Sequence, residues 1–196
     1  MCDLNIRRAT VKDAFEIGKL IYSTENNPEL EWGAGSKEEL MTRLVSMIER
    51  ENNRFSYQNI WVMDVDKIFA GITLALEGDK LKKSTFKADK VLITMQNGLR
   101  NKVKFLFLTI RYVLDSECKK NEFYISNIAI KNEFRGKGLA KIFLDGIYKE
   151  AKLRGFTKIS LRANNPKLVK FYESLGYNLE KNSSDKMIKV LDAKLL

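Results

Sequence analysis

Apolar positions recur along the chain with two periods, and the changes between them outline the elements. Leu4 to Arg8 alternates as a short strand does, and Thr10 with Asp13 makes a capping box that opens a helix running toward Tyr22. After a glycine-rich turn at Trp32 to Gly35, Ser36 and Glu39 form a second capping box. Leu40, Leu44, Met47 and Ile48 then supply the stripe of an amphipathic helix. Ile60 to Val65 and Ile68 to Leu76 read as two strands joined by the tight polar turn Asp66-Lys67, the pattern of an antiparallel hairpin.

From Ala88 onward Leu92, Met95, Leu99, Val103, Leu106, Ile110 and Val113 recur at spacings of three and four, which predicts helix, with a break at Asn97-Gly98. Phe123 to Ile130 follows as a strand. Gly138 to Leu153 is a helix closed by Gly155, and Lys158 to Arg162 is a further strand. Asn165-Pro166 opens a helix that ends at Leu175 before Gly176, and Tyr177 to Leu179 with Met187 to Leu191 close the sheet as a final hairpin. No internal repeat is visible.

The 196 residues, 44% hydrophobic and 31% charged with 2 prolines, fit one domain spanning 1–196 with no linker. Histidine is absent, which excludes a Ser-His-Asp triad, a Cys-His pair and His-ligated metal; no metal site is expected. Cys2 and Cys118 match no zinc or redox spacing and read as incidental thiols in a reducing compartment. The first residues hold no apolar signal core. The longest apolar stretch, Val103 to Leu114, is interrupted by Lys104 and Arg111 and is too short to span a bilayer. A cytoplasmic protein with no membrane partner is expected. Net charge is +10 at pH 7, and the segment from Asp79 to Lys120 carries most of it. A solvated lysine face is the ordinary explanation, and nucleic acid is kept as a lesser alternative.

The strongest local signal is ISNIAIKNEFRGKGLAKIFL, a strand leading through a basic, glycine-containing turn into a helix. Glycines let successive amides turn inward as a nest, the helix dipole adds partial positive charge, and Arg135 and Lys137 add full charges, so the turn suits a pyrophosphate. It is not a Walker A loop, because Leu139 follows Gly138, nor a dinucleotide fingerprint, because Lys141 stands where a third glycine belongs.

Arg135-Gly136-Lys137-Gly138-Leu139-Ala140 resembles motif A of the GNAT superfamily of N-acetyltransferases. Asn165, Tyr172 and Gly176-Tyr177 are similar to that family's block after its fifth strand. The resemblance implies an α/β fold of the α+β type, a central mixed, mostly antiparallel sheet flanked by helices. Asp79 to Lys120 departs from the family as a helical insertion between the third and fourth strands.

The resemblance also implies function: an acetyl-CoA dependent acyltransferase that passes acetyl directly from the thioester to a primary amine, on a small molecule or a protein. The amides of Arg135, Gly136, Lys137, Gly138, Leu139 and Ala140 would hold the coenzyme A pyrophosphate. Main-chain groups of Ile128 and Ile130 would pair with the pantetheine arm, and the amide near Ile128 would polarise the thioester carbonyl. Asn165 would contact the arm, and Tyr172 would protonate the departing thiolate. The family's strand-four glutamate position holds Tyr124 here, which leaves the base unassigned; Glu122 shares its face by the period-two rule and is the candidate, against the plainer reading of an exposed carboxylate. Glu25, Glu29 and Glu31 with Trp32 and Trp61 would suit a cationic amine. Two rivals remain at this point, an acyl-CoA-binding sensor or scaffold with little catalysis, and an acetyltransferase acting on an RNA-associated acceptor. Oligomeric state is not legible.

Overall fold

The computed structural model describes residues 3–114, 117–181 and 183–191, which leaves Cys2 outside the described residues. Seven strands form one sheet in the order β1 (Leu4–Arg8), β2 (Ile60–Val65), β3 (Ile68–Glu77), β4 (Phe123–Ile130), β5 (Lys158–Arg162), β7 (Lys186–Val190), β6 (Asn178–Leu179). Only β4 and β5 run parallel. The turn between β2 and β3 puts Asp66 and Lys67 at φ 49° and 65°, the left-handed pair that matches hairpin twist.

Helices cover both faces. On one lie α1 (Ala14–Thr24), α2 (Pro28–Trp32), α3 (Lys37–Glu49), α4 (Gly78–Thr94) and α5 (Gly98–Leu114). Their buried residues, among them Ile17, Ile21, Leu44, Met47, Leu92 and Phe105, pack with Ile60, Val62, Ile72 and Leu74 of the sheet. On the other lie α6 (Leu139–Leu153) and α7 (Pro166–Ser174), burying Phe143, Ile147 and Tyr172 against Met63, Phe123 and Ile159. The Ser36–Glu39 capping box forms as expected, with Glu39 N donating to Ser36 Oγ at 3.3 Å and Ser36 N to Glu39 Oε2 at 2.8 Å. The sequence shows only a turn where α2 forms; Asn27 before Pro28 starts it, as Asn165 before Pro166 starts α7.

The insertion is an antiparallel helix pair broken at Asn97-Gly98, but α4 begins at Gly78, well before Ala88. Its first turns are lysine-rich with Leu81 the main apolar anchor, so apolar spacing alone does not reveal them. Gly78 is forced by contact: a Cβ there would lie 2.1 Å from the Lys119 carbonyl oxygen, where the two ends of the insertion cross. Among the described residues no helix is long and apolar enough to cross a membrane.

Candidate active site

The pairing of β3 with β4 slips by one residue: Leu74 faces Asn127 and Ala75 faces Ile125, so Ser126 is an extra residue in β4. The parallel pairing with β5 covers only Phe123, Tyr124 and Ile125. Beyond the bulge β4 therefore has no strand on that side, and Ser126, Asn127 and Ile128 are partly uncovered within an otherwise buried strand. The gap opens into a cleft of about 890 Å³.

That cleft gathers most of the residues the sequence singles out. Ile128, Ile130, Arg135, Gly136, Gly138, Leu139, Ala140, Asn165 and Tyr172 all line it. Gly136 and Gly138 adopt φ of 76° and 73°, and a Cβ at either would meet nothing within 4 Å. Their conformation, not crowding, asks for glycine. Among the described residues no protein acceptor meets the amides from Gly136 to Ala140, and the first turn of α6 begins there without a side-chain cap. Such a row of free donors beside a helix N-terminus fits a diphosphate.

Some side chains are arranged otherwise than expected. Arg135 Nε donates to the Ile130 carbonyl at 2.9 Å, so its side chain braces the strand end, and the Lys137 ammonium sits 5.5 Å from the Phe134 ring. Asn165 does the N-cap work its place before proline predicts, accepting from Leu168 N at 3.0 Å, while still lining the cleft. Tyr172 is 5% exposed and packs edge-on against Phe171 and Tyr177. Burial pushes its phenol up to about 12, with a smaller push from Tyr148.

Glu122 is not brought to the cleft. It is 1% exposed rather than at the surface, and its Oε2 accepts from Ser160 Oγ at 2.9 Å and Lys119 N at 3.0 Å and pairs with Lys186 Nζ at 3.1 Å. A carboxylate so committed is a structural counter-ion. Tyr124 is likewise buried, and burial followed by the Glu117 charge raises its phenol.

A second group joins Glu25, Glu31 and Trp32, which the sequence offers for a cationic amine, to Arg54, Asp89, Glu117 and Ser126, which it does not single out. Arg54 donates to Glu117 through both terminal nitrogens and, at 2.9 Å, from Nη2 to Ser126 Oγ. Asp89 and Glu31 lie within electrostatic reach of Arg54 and Glu117, and Glu31 of Glu25. Glu25 stands between Thr24 and Asn26, which line the cleft, and its Oε2 accepts from Trp32 Nε1 at 2.6 Å. Burial lifts the Glu25 carboxyl to about 8 against the Trp32 hydrogen bond, helped by Glu31; burial lifts Asp89 to about 6 against Arg54. No single stretch of sequence holds this group.

Residues 103–177 match the Acetyltransferase (GNAT) family. The match runs from within α5 through α7, the part of the chain that builds most of the cleft. The fold of solved acetyltransferases agrees. An N-acetyltransferase from Staphylococcus aureus Mu50 superposes with TM-score 0.71 at 23% identity, over 94% of this chain and 99% of that one. The PaiA N-acetyltransferase from Thermoplasma acidophilum, solved in complex with coenzyme A, gives 0.53 at 14% over 96% and 99%. Arylalkylamine N-acetyltransferase 2 from Aedes aegypti gives 0.56 at 18% over 97% and 100%. No curated protein matches the chain. The matched family performs acetyl transfer from acetyl-CoA, and the free amides from Gly136 to Ala140 lie within the matched segment.

Proposed function

We propose that the protein is an acetyl-CoA dependent N-acetyltransferase whose acceptor is a small cationic primary amine. Acetyl-CoA supplies an activated acetyl thioester. The observation that carries the reading is the β4 bulge at Ser126, because it opens the gap in which Ile128, the Gly136–Ala140 turn and Tyr172 share one cleft.

Within that cleft the amides from Gly136 to Ala140 bind and orient the donor, and the main chain of Ile128 and Ile130 aligns its arm. Tyr172 holds a proton at its hydroxyl, kept on by burial, and gives it to the departing sulfur, whose conjugate thiol has a pKa of roughly 8.5.

The acceptor side is supported by charge. Glu31, Asp89 and Glu117 lie within electrostatic reach of Arg54, and Glu25 of Glu31; burial holds protons on Glu25 and Glu31, and a bound ammonium would favour their ionised forms. Amines of pKa near ~10 arrive as ammonium and need a base. Glu25 suits that task better than Glu122, being next to the cleft and titrating at about 8. An arylalkylamine, the class named for the Aedes aegypti neighbour, has the required charge.

A thiol-release assay with acetyl-CoA against a panel of mono-, di- and arylalkylamines and neutral or acidic amines tests this. Turnover with cationic small amines is the expected result; transfer confined to acidic or macromolecular amines, or no release at all, would count against it.

A further inference from the structure

At the other end of α6 from the pyrophosphate turn lies a second cavity, of about 420 Å³, that shares no lining residue with the cleft. Gly138 caps the start of the helix and Arg154 its end, and at ~1.5 Å per residue that separates the two by roughly 24 Å. The walls carry Arg8, Lys80, Lys83, Lys87 and Arg154 against a single carboxylate, Glu77. Glu77 pairs with Lys80 and, at 3.1 Å, with Arg154, which Glu150 also holds at 2.7 Å. Arg8 is left 3.6 Å from Glu150, and among the described residues Lys83 and Lys87 have no ion pair. They lie one helical turn apart on α4 and face the same space.

Trp61 forms part of the lining. It is 5% exposed. The Arg8 guanidinium lies flat over its ring at 3.7 Å, with Arg154 5.6 Å from the same ring. Burial, and then repulsion from Arg154, weakens Arg8's hold on its proton, so two guanidinium groups are kept close without enough negative charge between them. An arrangement of several cations on a concave surface is complementary to a compact polyanion.

We propose that this cavity binds a phosphorylated small molecule, its phosphates held by Lys83, Lys87 and Arg8 beside the Trp61 ring. The volume lies within the usual ~300–1,000 Å³ of small-molecule sites, and Trp61 lies beneath the Arg8 guanidinium instead of presenting an open face for base stacking, which favours a small ligand over a nucleic-acid strand. The site is independent of the transfer reaction.

Calorimetry on protein saturated with coenzyme A, so that the cleft is filled, tests it with ADP and inorganic pyrophosphate as probes. One saturable site is expected. The double substitution Lys83→Glu, Lys87→Glu should weaken it at least tenfold, while coenzyme A binding and the unfolding midpoint stay unchanged. Trp61→Phe should weaken it less. Three results would overturn the proposal: no saturable binding, equal binding by the double variant, or a single-stranded RNA that binds much more tightly than ADP with affinity rising with its length.

Discussion

Arg54, in the loop between α3 and β2, donates to Ser126, the residue of β4 that has no counterpart in β3, at 2.9 Å. The same guanidinium holds Glu117 bidentately, so one ion pair pins the irregularity that opens the cleft. Burial alone would raise the Glu117 carboxyl; the charge and hydrogen bonds of Arg54 outweigh it and keep it ionised. Arg54→Met therefore leaves the Glu117 carboxylate with the Tyr124 hydroxyl and the more distant Arg162 charge but without its paired cation, at a cost of about 3 kcal/mol in urea unfolding. Ser126→Ala removes one bond to a charged donor and should cost about 1.5–3 kcal/mol. Because the folded pKa of Glu117 is depressed, the stability it contributes is present above its ordinary pKa and is lost as pH falls through the depressed one. The Arg54→Met deficit should shrink correspondingly in acid.

The contrast between what was and was not legible follows from sequence distance. The Arg135–Ala140 turn is contiguous, and its glycines, charges and helix start are read from six neighbouring letters. The bulge at Ser126 is a relation of register between two strands separated by a helix pair, so no local pattern marks it. Neither sequence reading of Glu122, candidate base or exposed carboxylate, anticipates its buried ion pair, because its partners Ser160 and Lys186 lie on strands far along the chain. Trp61, which the sequence groups with Glu25 and Trp32, lies instead in the second cavity under Arg8 of β1, a placement that only the sheet order reveals.

Gly138 adopts φ of 73° beside free amides and open space. Gly138→Glu places a carboxylate where a diphosphate would bind and forces a left-handed residue, which costs about 1–2 kcal/mol of strain by itself. Acetyl-CoA affinity should fall by two or more orders of magnitude. Gly138→Ala, with the strain and without the charge, separates the two effects: it should lower the unfolding midpoint similarly but lose far less affinity by calorimetry.

Tyr172 packs against Phe171 and Tyr177 through its ring, and Tyr172→Phe keeps that ring. Stability and acetyl-CoA affinity should be close to those of the parent. If the hydroxyl delivers the proton to sulfur, kcat should fall by roughly 10²-fold, in the lower range for general acids. The loss should be smaller with an acyl donor whose leaving thiol is more acidic. An equal loss with both donors would remove Tyr172 from the acid role.

Glu25 offers a test with two readouts of opposite sign. Its folded pKa, about 8 against an ordinary 4.5, means the folded protein keeps a proton the unfolded chain releases. The stability associated with that proton is full below the ordinary value and is lost as pH climbs toward 8. Glu25→Gln keeps an acceptor for the Trp32 N–H and has no charge to bury, so its unfolding midpoint relative to the parent should improve between pH 5 and 9. Catalysis should move the other way. With Glu25 as base, kcat/KM rises through a limb near pH 8 that stays fixed when amines of different pKa are compared, and Glu25→Gln should remove it with a loss of about 10²–10⁴-fold. A limb that tracks the amine's own pKa in both proteins would leave the carboxyl a bystander, while the gain in stability at high pH would persist.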